Sequence, residues 1–271
     1  MIRKTLLSVG LSALLAMSLS ADSLMMATTT STDDTGLLDY LAPQFEKETG
    51  TNLKWVATGT GKALKMGENC DVDVLLVHAP AAEKKLVESG FGIDRKEVMY
   101  NDFIIVGPIA DPAHVSGKGT VEALKIIKDS KANFLSRGDD SGTHKKELSL
   151  WKDASQVIPE TDLWYIQTGQ GMLTTINMAA EKNGYTMTDR GTWIKYEAQK
   201  GADNKMKIVV EKDKTLFNQY SVIPVNKAKC PNVKLELAQS FSDWLIKPET
   251  QKFIGDFKLL DKTLFTPNAS K

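Results

Sequence analysis

Phe103-Ile104-Ile105-Val106, closed by Gly107-Pro108, and Tyr220-Ser221-Val222-Ile223-Pro224-Val225 are two similar extended apolar runs, far apart in the chain. Short continuous apolar runs rich in β-branched residues and bounded by Gly or Pro read as buried strands. After the first run a new series of strands and helices begins, and after the second the pattern is helical. A chain that leaves one lobe along the first run and returns along the second builds two lobes. The first then holds residues 22–106 and 221–271, and the second residues 107–220. Two crossing strands make a hinge, and a cleft between lobes is where small ligands usually sit. A single doubly wound domain is the alternative that periodicity leaves open.

Outward from these runs, strands alternate with helices, which argues for an α/β architecture. Met25 to Thr30, Leu53 to Ala57 and Asp73 to Val77 read as strands of the first lobe. Ser31-Thr32-Asp33-Asp34 resembles a capping box ahead of an amphipathic helix through Leu37, Leu38, Leu41 and Phe45, ended by Gly50. In the central block the pattern predicts a helix over 121–128, a strand over 133–135, a helix through Trp151 and a strand over 207–210.

Four junctions between strand and helix share one chemistry: Thr28 to Thr32, Thr58-Gly59-Thr60-Gly61, Arg137 through Thr143, and Thr168-Gly169-Gln170-Gly171. Each joins hydroxyls or glycines to a helix start, whose first N–H groups lack intrahelical partners and carry the positive end of the helix dipole. That is an anion site in outline. For any one junction, ordinary capping by Ser, Thr or Asp is the simpler reading. The stretch Arg137-Gly138-Asp139-Asp140-Ser141-Gly142-Thr143 asks for more, because capping has no use for a guanidinium beside Ser-Gly-Thr. Either Asp139 or Asp140 can pair with Arg137 and hold it flat towards the cleft, and Asp140 fits a solvated turn equally well. Trp151, Trp164 and Trp193 either wall the cleft or belong to the core.

Other chemistries fare worse. Thr58-Gly59-Thr60-Gly61-Lys62 fails as a nucleotide loop, since Val56 stands where the first glycine belongs and Ala63 where Ser or Thr should bind magnesium. A secreted serine hydrolase with Ser141 as nucleophile lacks the glycine of a nucleophile elbow. Its three histidines, His78, His114 and His144, include none placed to act as base. His78, at the end of a buried strand, suits a structural role.

Met1-Ile2-Arg3-Lys4 and the apolar run from Leu6 to Leu19 have the form of a signal peptide cleaved near Ala21, so residues 1–21 are expected to direct export. The chain of 271 residues has 34 basic and 34 acidic side chains; without Arg3 and Lys4 the balance is 32 against 34. A near-neutral chain is a poor partner for nucleic acid, and any anion must be held by local donors. After export Cys70 and Cys230 meet oxidising conditions, where a disulfide and two buried free thiols are both open. Neither cysteine neighbours a histidine, which disfavours a cation site.

At this point the residues resemble a known family. Thr28 to Thr32 with Thr35-Gly36-Leu37, Ala57 through Leu64, Asp71 through Pro80, Val98 through Pro108, Ser136 through Glu147 and Gly169-Gln170-Gly171-Met172 look like the tungstate-binding proteins of ABC uptake systems. The likeness covers nearly all of the mature chain. It implies a two-lobed periplasmic binding protein fold of type II with two crossing hinge strands. It also implies capture of the tungstate oxyanion by a monomer, without cofactor or catalysis, for delivery to an inner-membrane ABC permease. Carried to matching positions, the family's oxyanion shell implicates Thr30, Ser31, Thr58 and Gly59 from one lobe. From the other it implicates Arg137, Ser141, Gly142 and Thr143, with backbone donors near Gly171. Cys70 departs from the family pattern, where a small residue such as glycine is expected, and so favours a bridge to Cys230. The central loop is also similar to that of phosphate-binding proteins, with Asp139 where an aspartate accepts the phosphate proton. Phosphate- or molybdate-binding proteins of the same fold are therefore the alternatives, and the direction of Asp139 separates phosphate from the rest.

Overall fold

A computed structural model describes residues 22–269; the expected signal peptide lies outside them. The first strand β1 (Ser23–Thr29) leads through a one-turn helix α1 (Thr30–Asp33) to α2 (Leu37–Thr49), then β2 (Asn52–Thr58), α3 (Thr60–Glu68), β3 (Val74–Val77) and α4 (Pro80–Glu88). In α2 the buried residues Leu37, Leu38, Leu41 and Phe45 share one face, and Gly50 ends the helix at φ 71. Burying four such side chains favours folding by about 1.5–3 kcal/mol each before entropic costs. The expected capping box does not cap α2. Thr29 caps α1 instead, and α2 starts after Gly36 at φ 78, because the chain turns sharply between the two helices.

Strand β4 (Lys96–Pro108) is longer than the apolar run that signals it. Its first half, Lys96 to Asp102, pairs antiparallel with β9 (Phe217–Pro224). From Phe103 onward it pairs instead with β7 (Thr186–Asp189) and β8 (Met206–Val210). One strand thus serves two sheets, exchanging partners between Asp102 and Phe103. Around the first half the sheet order is β2-β1-β3-β9-β4, with β1 parallel to β2 and β3.

Between the two crossings lie α5 (Thr120–Ser130), β5 (Phe134–Ser136), α6 (Gly142–Ser155), β6 (Tyr165–Gln167), α7 (Met172–Glu181) and α8 (Arg190–Lys200). Strands β5 and β6 are parallel, and Leu135 N–H donates to Tyr185 O at 2.8 Å, which attaches the pair beside β7. Neither β7 nor α8 is visible in the sequence pattern. The strand reads Thr-Met-Thr-Asp, yet all four residues are buried, with the Thr186 hydroxyl satisfied by Leu135 O at 2.7 Å. After β9 come α9 (Leu235–Leu245) and α10 (Pro248–Asp256). Three short strands follow where only helices are expected: β10 (Lys258–Leu259), β11 (Lys262–Thr263) and β12 (Thr266–Pro267). The last pairs with β4.

Strands β4 and β3 are covered on both faces. Phe103 and Ile105 pack into one cluster with Trp151, while Ile104 and Val106 pack into another with Trp193. A strand that buries both faces has no polar positions to alternate, which explains why this run reads as unbroken apolar residues. The same split divides β3, with Val74 and Leu76 on one side and Leu75 and Val77 on the other. Cys70 and Cys230 form a disulfide with Cα atoms 5.3 Å apart, tying the end of α3 to the segment after β9. Cys70 sits at φ 65, a turn conformation that favours glycine.

Candidate functional site

Three of the four junctions meet. Thr29, Thr30 and Ser31 after β1, Thr58, Gly59 and Thr60 after β2, and His78 after β3 belong to the first lobe. They face Arg137, Ser141, Gly142 and Thr143, between β5 and α6 of the second lobe, around one small cavity. The fourth junction lines an adjoining cavity of about 460 Å³, where Gly171 joins Thr30, Ser31 and Arg137. The reason for the convergence is topological: β1 and β2 run parallel, as do β5 and β6, so their carboxyl ends and the following helix starts lie together. Gly59 and Gly171 cap α3 and α7 without any side-chain bond, leaving first-turn N–H groups open to a ligand. Ser141 caps α6, its Oγ accepting from His144 N–H at 3.2 Å.

Two glycines are fixed by close approach. A Cβ on Gly142 would stand 2.8 Å from Thr60 Oγ1 and 3.2 Å from His78 Cε1, so only glycine lets α6 start this near the opposite lobe. Gly138, at φ 58, would bring a Cβ within 2.9 Å of the Gln167 side chain. Elsewhere across the cleft Lys195 Nζ donates to Asp34 O. The lobes are closed on one another.

Arg137 is largely buried, its side chain 13% exposed. Its Nη2 donates to Asp139 Oδ2 at 2.5 Å, and its Nε is buried with no partner among the described residues. Asp139 Oδ1 accepts from Ser141 N–H at 3.2 Å. Both carboxylate oxygens are therefore engaged within the loop, and Asp139 is not among the residues lining the cavity. Burial pushes its carboxyl pKa up, but the Ser141 hydrogen bonds and the Arg137 charge outweigh this and hold it below the ordinary value. Asp140 is a solvated turn residue paired with Lys145.

Beneath the loop, Glu147 is buried and accepts from Tyr165 Oη at 2.6 Å and Trp151 Nε1 at 3.1 Å. Burial pushes its pKa up to about 7 despite those bonds. Trp151 and Trp193 lie in the core of the second lobe and not against the anion cavity.

Thr29, Thr60 and His78 line the cavity without having been singled out as ligand residues. The first two lie within junctions already recognised, Thr28 to Thr32 and Thr58 to Gly61. The signal for His78 is its place immediately after a buried parallel strand. Ser141 makes no bond to a histidine ring: His144 Nδ1 accepts from Asp140 N–H at 3.0 Å.

A PBP superfamily domain model matches residues 18–249. The tungstate-binding protein TupA of Campylobacter jejuni is 53% identical over 239 residues, covering 88% of this chain and 88% of that one. Among solved structures, the tungstate-binding protein TupA from Desulfovibrio alaskensis is 66% identical with a TM-score of 0.87, covering 92% of this chain and all of that one. One described as the tungstate ABC transporter from Geobacter sulfurreducens is 50% identical with a TM-score of 0.76, covering 87% of this chain and 98% of that one.

Proposed function

Since this chain belongs to the TupA family of tungstate-binding proteins, within the PBP superfamily, we propose that it captures tungstate in the cleft between its lobes for an ABC transporter. It is a solute-binding protein of the two-lobed type and not an enzyme. The ligand shell we assign comprises Thr30, Ser31, Thr58 and Gly59 from the first lobe and Arg137, Ser141, Gly142 and Thr143 from the second, with N–H donors near Gly171. The observation that carries this assignment is the meeting of helix starts from both lobes around one cavity beside a buried, partly unpartnered guanidinium. Neutral hydroxyls, N–H groups and one Arg suit a tetrahedral dianion in a chain with almost no net charge.

A ligand touching both lobes favours the closed state by its differential affinity, and the closed shape is what a permease can recognise. The proposal extends to residues 1–21 as an export signal, to action as a periplasmic monomer, and to a permease in the inner membrane. It divides the chain into one lobe of residues 22–106 and 221–271 and a second of residues 107–220, the first cut falling within β4 and the second within β9. Phosphate is the less favoured ligand because the Asp139 carboxylate is occupied by Arg137 and Ser141. Molybdate shares the size and charge of tungstate and remains an alternative.

Calorimetric titration of the mature chain with tungstate, molybdate, sulfate and phosphate tests this reading. The expected result is tight one-to-one binding of tungstate and far weaker binding of phosphate. Preferential binding of phosphate, or no heat with tungstate, would overturn it.

A further inference from the structure

One nitrogen base stands in the wall of the oxyanion cavity, and its hydrogen bonds fix where its proton lies. The His78 ring is buried and stacked on Tyr220, with centroids 4.7 Å apart. Its Nδ1 is 2.8 Å from Asn218 Oδ1. The Asn218 amide is held in that orientation, since Nδ2 donates to Asn101 Oδ1 at 2.7 Å and to the Tyr220 hydroxyl at 3.3 Å. An amide oxygen offers only lone pairs, so Nδ1 is the nitrogen that carries hydrogen. Burial lowers the pKa of the ring and favours its neutral form, which leaves Nε2 as an acceptor.

Two hydroxyls reach Nε2: Thr29 Oγ1 at 3.0 Å and Ser31 Oγ at 3.3 Å. Thr29 is nearer. Its oxygen accepts from Thr32 N–H at 3.3 Å and lies 2.6 Å from the Thr32 hydroxyl and 3.2 Å from that of Ser31, contacts in which either oxygen can donate; its hydrogen is assigned to the ring because a bare imidazole nitrogen is a stronger acceptor than a hydroxyl.

We propose that His78 and Thr29 together remove the last strong proton acceptor from the cavity, making the site select fully deprotonated tetrahedral dianions over hydrogen phosphate. The inference rests on the oxyanion reading above and adds to it the residues that exclude protonated ligands. With Nε2 occupied by Thr29 and Asp139 occupied by Arg137 and Ser141, the cavity wall is left with N–H donors and with hydroxyls, which can donate to an anion. A P–OH group entering among them finds hydroxyl oxygens, Thr60 Oγ1 among them, which accept more weakly than an imidazole or a carboxylate, so its hydrogen bond is poorer there. His78 is a positioning residue here: it acts by orienting the Thr29 hydrogen, and Asn218 acts by orienting His78.

Two measurements test this. Nitrogen NMR of the histidine rings in the mature, unliganded chain, which has three histidines to assign, should show His78 protonated at Nδ1 and bare at Nε2 near neutral pH. Hydrogen at Nε2 would overturn the inference. In Thr29→Val the freed Nε2 takes a hydrogen from the ligand, or from Ser31, whose oxygen then turns acceptor towards the cavity. Calorimetry with tungstate and inorganic phosphate should show the affinity ratio of phosphate to tungstate rising by roughly tenfold or more, with Thr29→Ser restoring the original ratio. A purely structural role would weaken both anions alike, and an unchanged ratio in a folded Thr29→Val protein would overturn the selectivity alone. If the unsubstituted chain binds no tungstate, the proposed function falls and this inference with it. Should Thr29→Val fail to fold, the tautomer decides.

Discussion

In the site proposed for the oxyanion, Arg137 has a partner that does not occupy all of its donors. Asp139 occupies Nη2 and leaves a buried Nε–H without a partner among the described residues, so a dianion bound there would gain a charge-assisted bond from a guanidinium that is already largely desolvated. Arg137→Ala should weaken tungstate binding by about 1.5–3 kcal/mol, a loss of roughly 10- to 150-fold in a calorimetric titration. Asp139→Asn separates the two oxyanion readings. If the carboxylate only positions Arg137, tungstate affinity should change by no more than severalfold and phosphate should gain nothing. Collapse of phosphate binding in that variant would instead mean that Asp139 accepts the ligand's proton.

At the scale of single elements, α6 couples the binding loop to the core through Glu147. The carboxyl holds its proton to about pH 7 in the folded chain, against an ordinary value near 4.5, mainly because it is buried. Unfolding therefore releases that proton between those values, and this group's contribution to stability is full at low pH and lost as pH rises through about 7. His78 and His144, both lowered by burial, tilt stability the opposite way in the lower part of the same range. The readout is consequently a difference: melting temperature against pH should fall less steeply in Glu147→Gln than in the unsubstituted chain. Identical slopes would mean that Glu147 is ionised throughout. The bridge from Cys70 to Cys230 spans 160 residues of sequence, and Cys70→Ser should cost about 2–5 kcal/mol of stability, measured by denaturant unfolding.

In the whole molecule the two crossings are clasped by one residue. Arg190 donates to Asp102, where β4 changes sheets, at 2.6 and 2.5 Å, and to Glu211, where the chain turns back after β8, at 2.9 Å. Closure about these segments brings Gly142 against Thr60 and His78 and buries whatever lies between. Tungstate at about 100 times its dissociation constant should add about 2.7 kcal/mol and raise the melting temperature by about 5–10 °C. Small-angle scattering should show compaction on the same addition, and a ligand that raised the melting temperature with no change in dimensions would argue against closure.

The alternation of strands and helices, the two apolar crossing runs and the chemistry of the four junctions can be read from residue order alone, because each rests on local rules: period, capping and dipole. It also carried the family, since a string of specific motifs survives without any knowledge of distance. What it did not show is where local pattern and burial disagree. Strand β7 is polar in composition but buried through backbone bonds, and the N-terminal half of β4 lacks the apolar run that marks the rest. The tautomer of His78 depends on Asn218, 140 residues away and brought into place by the pairing of β3 with β9, and whether Asp139 turns to its loop neighbours or to the cleft depends on where the second lobe sets that loop. Such features come from packing in three dimensions, since neither a hydrogen bond between distant residues nor the direction in which a loop faces leaves a period in the chain.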